Sequence, residues 1–145
     1  MHPADLPREL TPGGASTAVP ADQLLANVRA IAQGPLAQQV QGIDREGHYP
    51  KAVLQALAAA GGMSAHLDTP AGPGDFFLSI QAMAEASRVC GATGFMMWCQ
   101  AVCGLYLQQS GNPALMGEVL QRHVQGTGMG GTALSNPMKS YAQIE

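Results

Sequence analysis

From Asp22 to Gln125 the chain shows no strand signal, and its apolar residues recur at the 3–4-residue spacing of helices buried along one face. That regularity constrains the fold more than any single motif. Leu24, Leu25, Val28, Ile31 and Ala32 trace one such stripe, with Asp22 placed to cap it. Gly34-Pro35 interrupts the stripe, because proline removes a backbone donor and disfavours helix at the residue before it. Leu36, Val40 and Ile43 restart it, so we read a kinked helix or two short helices ending near Asp44. The expected fold is all-α, a helical bundle.

Turn chemistry separates the later helices. Gly47 can take positive φ, and Pro50 can open a helix at its first position. An alanine- and leucine-rich helix over 51–60 stops at Gly61-Gly62, and two prolines make 63–74 a loop. Asp75 caps a helix running to Val89, with Phe77, Ile80, Met83, Ala84 and Ser87 on one side. The next stretch, Gly91 to Gln109, leaves almost no polar face, which predicts the most buried helix, with Trp98 inside. Gln100, Gln108 and Gln109 and its modest length argue against a membrane span. After the Gly111-Asn112-Pro113 break, Leu115, Met116, Val119, Leu120 and His123 form an inner stripe. Helical periodicity then vanishes at the glycine cluster 126–131, and an extended segment is expected after Thr127.

Charged residues supply only 12% of the chain, about half the usual share. Much of the surface must therefore be apolar or merely polar, which suggests faces covered by further domains or partner subunits. The net charge of −3 offers no basic stripe for nucleic acid. Three cysteines with no paired spacing make a disulfide framework improbable, and residues 1–21, rich in Pro, Gly, Ser and Thr without a charged-then-apolar pattern, read as a mobile tail rather than a signal peptide. A cytoplasmic protein is the default.

Few residues stand out chemically. Gly126, Gly128 and Gly131 satisfy a G-x-G-x-x-G spacing, but a helix precedes them and Pro137 stands where the phosphate-binding helix should run, so no dinucleotide fingerprint is read there. Cys99 and Cys103 lie among apolar neighbours and are read as structural rather than as metal ligands. His48 and His66, in a turn and a loop, are expected to be solvated. Glu85, the one acid in an apolar helix, is expected to pair with Arg88 or another helix. Met96-Met97-Trp98 can pack a core and line a ligand cavity at once.

The order of these features resembles the amino-terminal helical domain of the acyl-CoA dehydrogenase flavoproteins. The matching pieces are Asp44-Arg45-x-Gly47-x-Tyr49-Pro50, the helix ending at Ala60-Gly61, and the loop Pro70-Ala71-Gly72-Pro73-Gly74. Then follow Ala84-Glu85, Cys90-Gly91-Ala92-Thr93-Gly94-Phe95, the Gly111-Asn112-Pro113 break, and Gly126 leading to Ala133-Leu134-Ser135-Asn136-Pro137.

The resemblance implies a tail over 1–21, a helical domain over 22–125, and the first strand of a middle β domain over 126–145, as the front part of a longer protein. It implies FAD as cofactor, an acyl-CoA-like substrate and a homo-oligomer in the full-length form. Phe95, Met96 and Cys99 would line the substrate cavity. Leu134, Ser135 and Asn136 would touch the flavin. Ser135 keeps the hydroxyl of the family's Thr-Glu-Pro segment, while Asn136 replaces its Glu and Met138-Lys139 its glycine-rich continuation. Dehydrogenase and flavin monooxygenase chemistry of the same fold both stay open. A stand-alone helical interaction fragment without cofactor is the competing expectation. The catalytic glutamate and the residues that grip the FAD diphosphate would lie beyond Glu145, so no catalytic residue is assigned in this chain.

Overall fold

The computed structural model describes residues 19–133 and 135–142, with only the backbone described for 135–137. The tail expected over 1–21 lies outside the described residues except for its last three, and so does Leu134.

Helix α1 spans Ala21–Ile31 and runs directly into a π-helical segment, Ala32–Leu36. The cause is Pro35. It has no N–H to continue the regular ladder, and the Ala37 N–H instead reaches back to the Ala32 carbonyl at 3.1 Å. Asp22 sits in the first turn while Pro20 holds the cap position, so the acid acts on the helix dipole rather than as the cap. Helix α2, Val40–Glu46, ends on Gly47, whose φ of 67° closes it in the left-handed region. Helix α3 covers Lys51–Ala59, with Pro50 as its cap rather than its first residue.

Helix α4, Phe76–Ser87, starts on Asp75, whose carboxylate accepts the Leu78 N–H at 2.9 Å. Helix α5, Gly91–Gln109, is followed by a π-helical segment, Leu115–Val119, and by the short α6, Leu120–Val124. The core gathers Leu24, Val28 and Leu36 beneath Val53, Leu54 and Leu57 of α3, closed by Ala82 and Ala86 of α4 and Met97 of α5. Helix α4 packs on both α1 and α5, and α5 also supports α6. At the α4–α5 crossing Gly94 lies against Ser87 so closely that a Cβ would fall 1.9 Å from the Ser87 hydroxyl.

Three further expectations differ from the structure. No strand occurs among the described residues, and Ser135–Tyr141 forms a short helix, α7, where an extended segment was expected. A strand needs a neighbour to complete its ladder, and no described segment offers one. Pro137 is compatible with this helix because it falls in the first turn, where no N–H is required. Helix α5 is not buried all round: Trp98 is 42% and Phe95 63% exposed. Finally, Met116 and Val119 face outward, and only Leu120 and His123 of that stripe are buried.

Candidate functional site

Helix α5 is the element on which the candidate residues converge. Its inward face carries Thr93, Gly94, Met97, Gln100, Ala101 and Gly104, all buried. Small residues at 94, 101 and 104 let neighbouring elements approach the backbone, and Met97 fills the space between them. The outward face carries Phe95, Trp98 and Tyr106, spaced three and eight residues apart, which places them on one side of the helix. The Phe95 and Trp98 rings stack with centroids 5.6 Å apart. Phe76, Phe77 and Ile80 of the adjoining α4 are exposed as well. The apolar surface implied by the sparse charge supply is thus concentrated on α4 and α5.

Among the residues expected to line a substrate cavity, Phe95 lies on this outward stripe, and Met96 and Cys99 are half-buried at its margin. Ser135 and Asn136 open α7, while Leu134 falls outside the described residues. The structure therefore groups Phe95, Met96 and Cys99 on one helix, while the side chains of Ser135 and Asn136 lie outside what is described.

Polar groups missed by the sequence reading organise the other side of α5. His66 was expected in solvent and is 4% exposed. It donates from Nε2 to the Ala101 carbonyl at 2.8 Å, and the Ser79 hydroxyl lies 3.4 Å from its Nδ1. The Phe76 ring covers it at 5.6 Å. Burial pushes its pKa below the ordinary 6.5; the Ala101 carbonyl works against that shift and the nearby His123 adds to it. His123 of α6 donates to the preceding carbonyl, that of Gln100, at 2.8 Å. Two histidines thus dock on successive carbonyls of one helix.

Gln100 itself reaches out to the glycine segment. The Gly130 N–H donates to its Oε1 at 3.0 Å, and its Nε2 donates back to the Gly130 carbonyl. The signal for this was a lone glutamine inside an apolar run, but sequence alone cannot name its partner. Cys103 lies beside Gly130, and burial raises its thiol pKa, so it is a poor thiolate. Cys90 is buried, and all three cysteines are free. His48 is exposed, as expected.

Glu85 takes the structural role expected of it. Its carboxylate pairs with Arg29 of α1 and Arg88 of its own helix, each at 2.8 Å. Bonding to Arg29 chiefly, with Arg88 adding to it and partial burial opposing, lowers its pKa to about 2.

No helix among the described residues is long and apolar enough to cross a membrane. No curated protein and no solved structure matched the chain on comparison. One family model did: acyl-CoA dehydrogenase, N-terminal domain, over residues 21–127. That stretch takes in α1 through α6 and the glycine after them, the same all-helical arrangement built around α5. With most of its length matched and its fold helical, the chain belongs to the acyl-CoA dehydrogenase family, as a carrier of its N-terminal domain.

Proposed function

We propose that this chain is the N-terminal part of an FAD-dependent oxidoreductase acting on CH–CH groups of an acyl-CoA-like substrate. In this reading the outward face of α5 forms one wall of the substrate and flavin cavity. The observation that carries it is the stacked Phe95–Trp98 pair on an apolar face in a domain of this family. Such a face suits an alkyl chain and has no role in the helical core behind it. Phe95, Met96 and Cys99 would bind the chain through dispersion and exclusion of water. The full-length protein would be a cytoplasmic homo-oligomer.

The donor set fits a flavin's pyrimidine edge in kind. Ser135 and Asn136 offer neutral hydrogen-bond donors, and Leu134 would add its backbone amide. Among the described residues, a Cβ at Gly131, three residues before Leu134, would meet no atom within 4 Å. FAD, when bound, would supply a hydride acceptor for the substrate β-carbon as the α-proton leaves. The chain's own contribution is to orient the substrate and shield it from water. No residue of the described helices serves as the base in this reading.

Asn136, in place of the family's Glu, departs from the dehydrogenase pattern and keeps a second reading open, a flavin monooxygenase of the same fold. One experiment separates the two. The full-length flavoprotein is mixed with medium-chain acyl-CoA without oxygen. Bleaching of the flavin with enoyl-CoA formation supports the dehydrogenase. An unbleached flavin that is reduced only by nicotinamide, followed by oxygen uptake, supports the monooxygenase. A full-length protein that takes up no flavin rejects both.

A further inference from the structure

Two hydrogen bonds join the Gln100 side chain to the Gly130 backbone. One side chain both accepts from and donates to a single peptide residue, as a neighbouring strand would. Such a pair sets the orientation of the backbone as well as its distance. The glutamine is 7% exposed and stands mid-helix, so it is held by its own packing. Its backbone carbonyl is in turn braced by His123, 2.8 Å away on α6. Gly130 also lies against Cys103: a Cβ there would fall 2.5 Å from the Cys103 sulfur, which would have to shift to admit it. Cys103 is one turn along α5 from Gln100 on the neighbouring face. The glycine segment is therefore seated on α5 by attraction from Gln100 and by contact with Cys103.

Gly130 precedes Leu134 by four residues, a reach of at most about 14 Å of extended chain. Gln100 is one residue from Cys99 and four from Met96 on a continuous helix. Seating Gly130 therefore anchors the chain on the helix that carries the candidate substrate wall, with residue 134 no more than about 14 Å of extended chain away.

We propose that Gln100 is a positioning residue, which registers the flavin-contacting segment 134–136 against the substrate wall of α5. The proposal rests on the flavoenzyme reading above. Gln100 touches neither substrate nor flavin in it. His123 braces the Gln100 backbone at 2.8 Å and so holds the helix turn from which this side chain reaches Gly130.

The test uses the full-length flavoprotein and three variants. Gln100→Met keeps side-chain length and removes both hydrogen bonds. Gly130→Ala drives a methyl into the Cys103 sulfur. Gly130→Ala combined with Cys103→Ala restores the space, because the next nearest atom to the new methyl is the Cβ at 103, 3.6 Å away. FAD affinity is measured by fluorescence titration of the apoprotein, with flavin reduction potential and circular dichroism alongside. Gln100→Met and Gly130→Ala should each weaken FAD binding about tenfold and shift the potential, with helical content unchanged. The double variant should recover wild-type affinity. Affinity and potential unchanged in both single variants would overturn the positioning role. So would failure of the double variant to recover, since that would mean a general loss of structure. If Gln100→Met does not fold, the Gly130 pair alone decides. A wild-type protein that takes up no flavin rejects the functional reading itself, an outcome distinct from wild-type binding with indifferent variants.

Discussion

Arg29 of α1 and Glu85 of α4, 56 residues apart, meet in a two-point pair, with Nη2 2.8 Å from Oε1 and Nε 3.2 Å from Oε2. The pair ties together two helices that pack on each other, and Arg88 shares the same carboxylate. Its effect should be visible in acid. The Glu85 carboxyl titrates at about 2 when folded against an ordinary 4.5. Its contribution is complete above 4.5 and is lost as the pH falls from there toward 2. In Glu85→Gln the denaturation midpoint should fall less steeply across that window than in the wild type. Identical slopes in the two proteins would show the pair to be inert.

His66 should give a second acid dependence, in a different window. Its folded pKa lies below the ordinary 6.5. Above 6.5 the ring is neutral in both states and contributes nothing to pH dependence. As the pH drops below 6.5 the unfolded chain takes up a proton that the folded chain resists, so stability falls until the lower folded pKa is passed. The groups facing the ring are Ser79, Phe76, the Ala101 carbonyl and His123, none of them acidic. His66→Gln should flatten the urea-denaturation midpoint over this range relative to the wild type.

Adjacent residues on α5 should differ sharply in cost. Met97 is 0% exposed, and Met97→Ala should destabilise by about 2–5 kcal/mol. Trp98→Ala should cost less, about 1–2 kcal/mol by the same urea titration, because its ring is part-exposed and held mainly by stacking on Phe95. As the sole tryptophan, it should also be readily quenched by acrylamide. A blue-shifted, unquenched emission would contradict its placement.

The α4–α5 crossing depends on the absence of a side chain at Gly94. Alanine there gains about 1 kcal/mol of helix propensity but collides with Ser87. Gly94→Ala should be destabilising by about 1–2 kcal/mol net, and Ser87→Gly in the same chain should recover part of the loss. Chemical denaturation of the single and double variants measures both.

A polypeptide ending at Glu145 and purified by itself is expected to retain no stoichiometric flavin. It carries only the Leu134–Asn136 edge of the proposed site, and ordering a large cofactor against one short segment costs most of what the contacts return. The absorbance spectrum after gel filtration checks this.

What the sequence determined by itself was local. The 3.6-residue stripes set the helices, Gly34-Pro35 the break after α1, Asp75 the start of α4, and Gly47 the end of α2. Each depends on backbone rules that act within a few residues. The order of turns and helices also sufficed for the family. Tertiary structure decided everything that needed a partner from afar. The all-round apolar character of α5 could not say which face would find cover, and the core took Met97 while leaving Phe95 and Trp98 outside. A histidine in a loop gives no sign that the loop folds over a helix carbonyl, as 63–74 does with His66. The segment around Ser135 reads as extended, yet a strand exists only beside another strand, and among the described residues it is helical. Gln100 found Gly130 thirty residues away because burial leaves an amide no water to bond, so its donor and acceptor had to be met by whichever backbone the packing brought alongside.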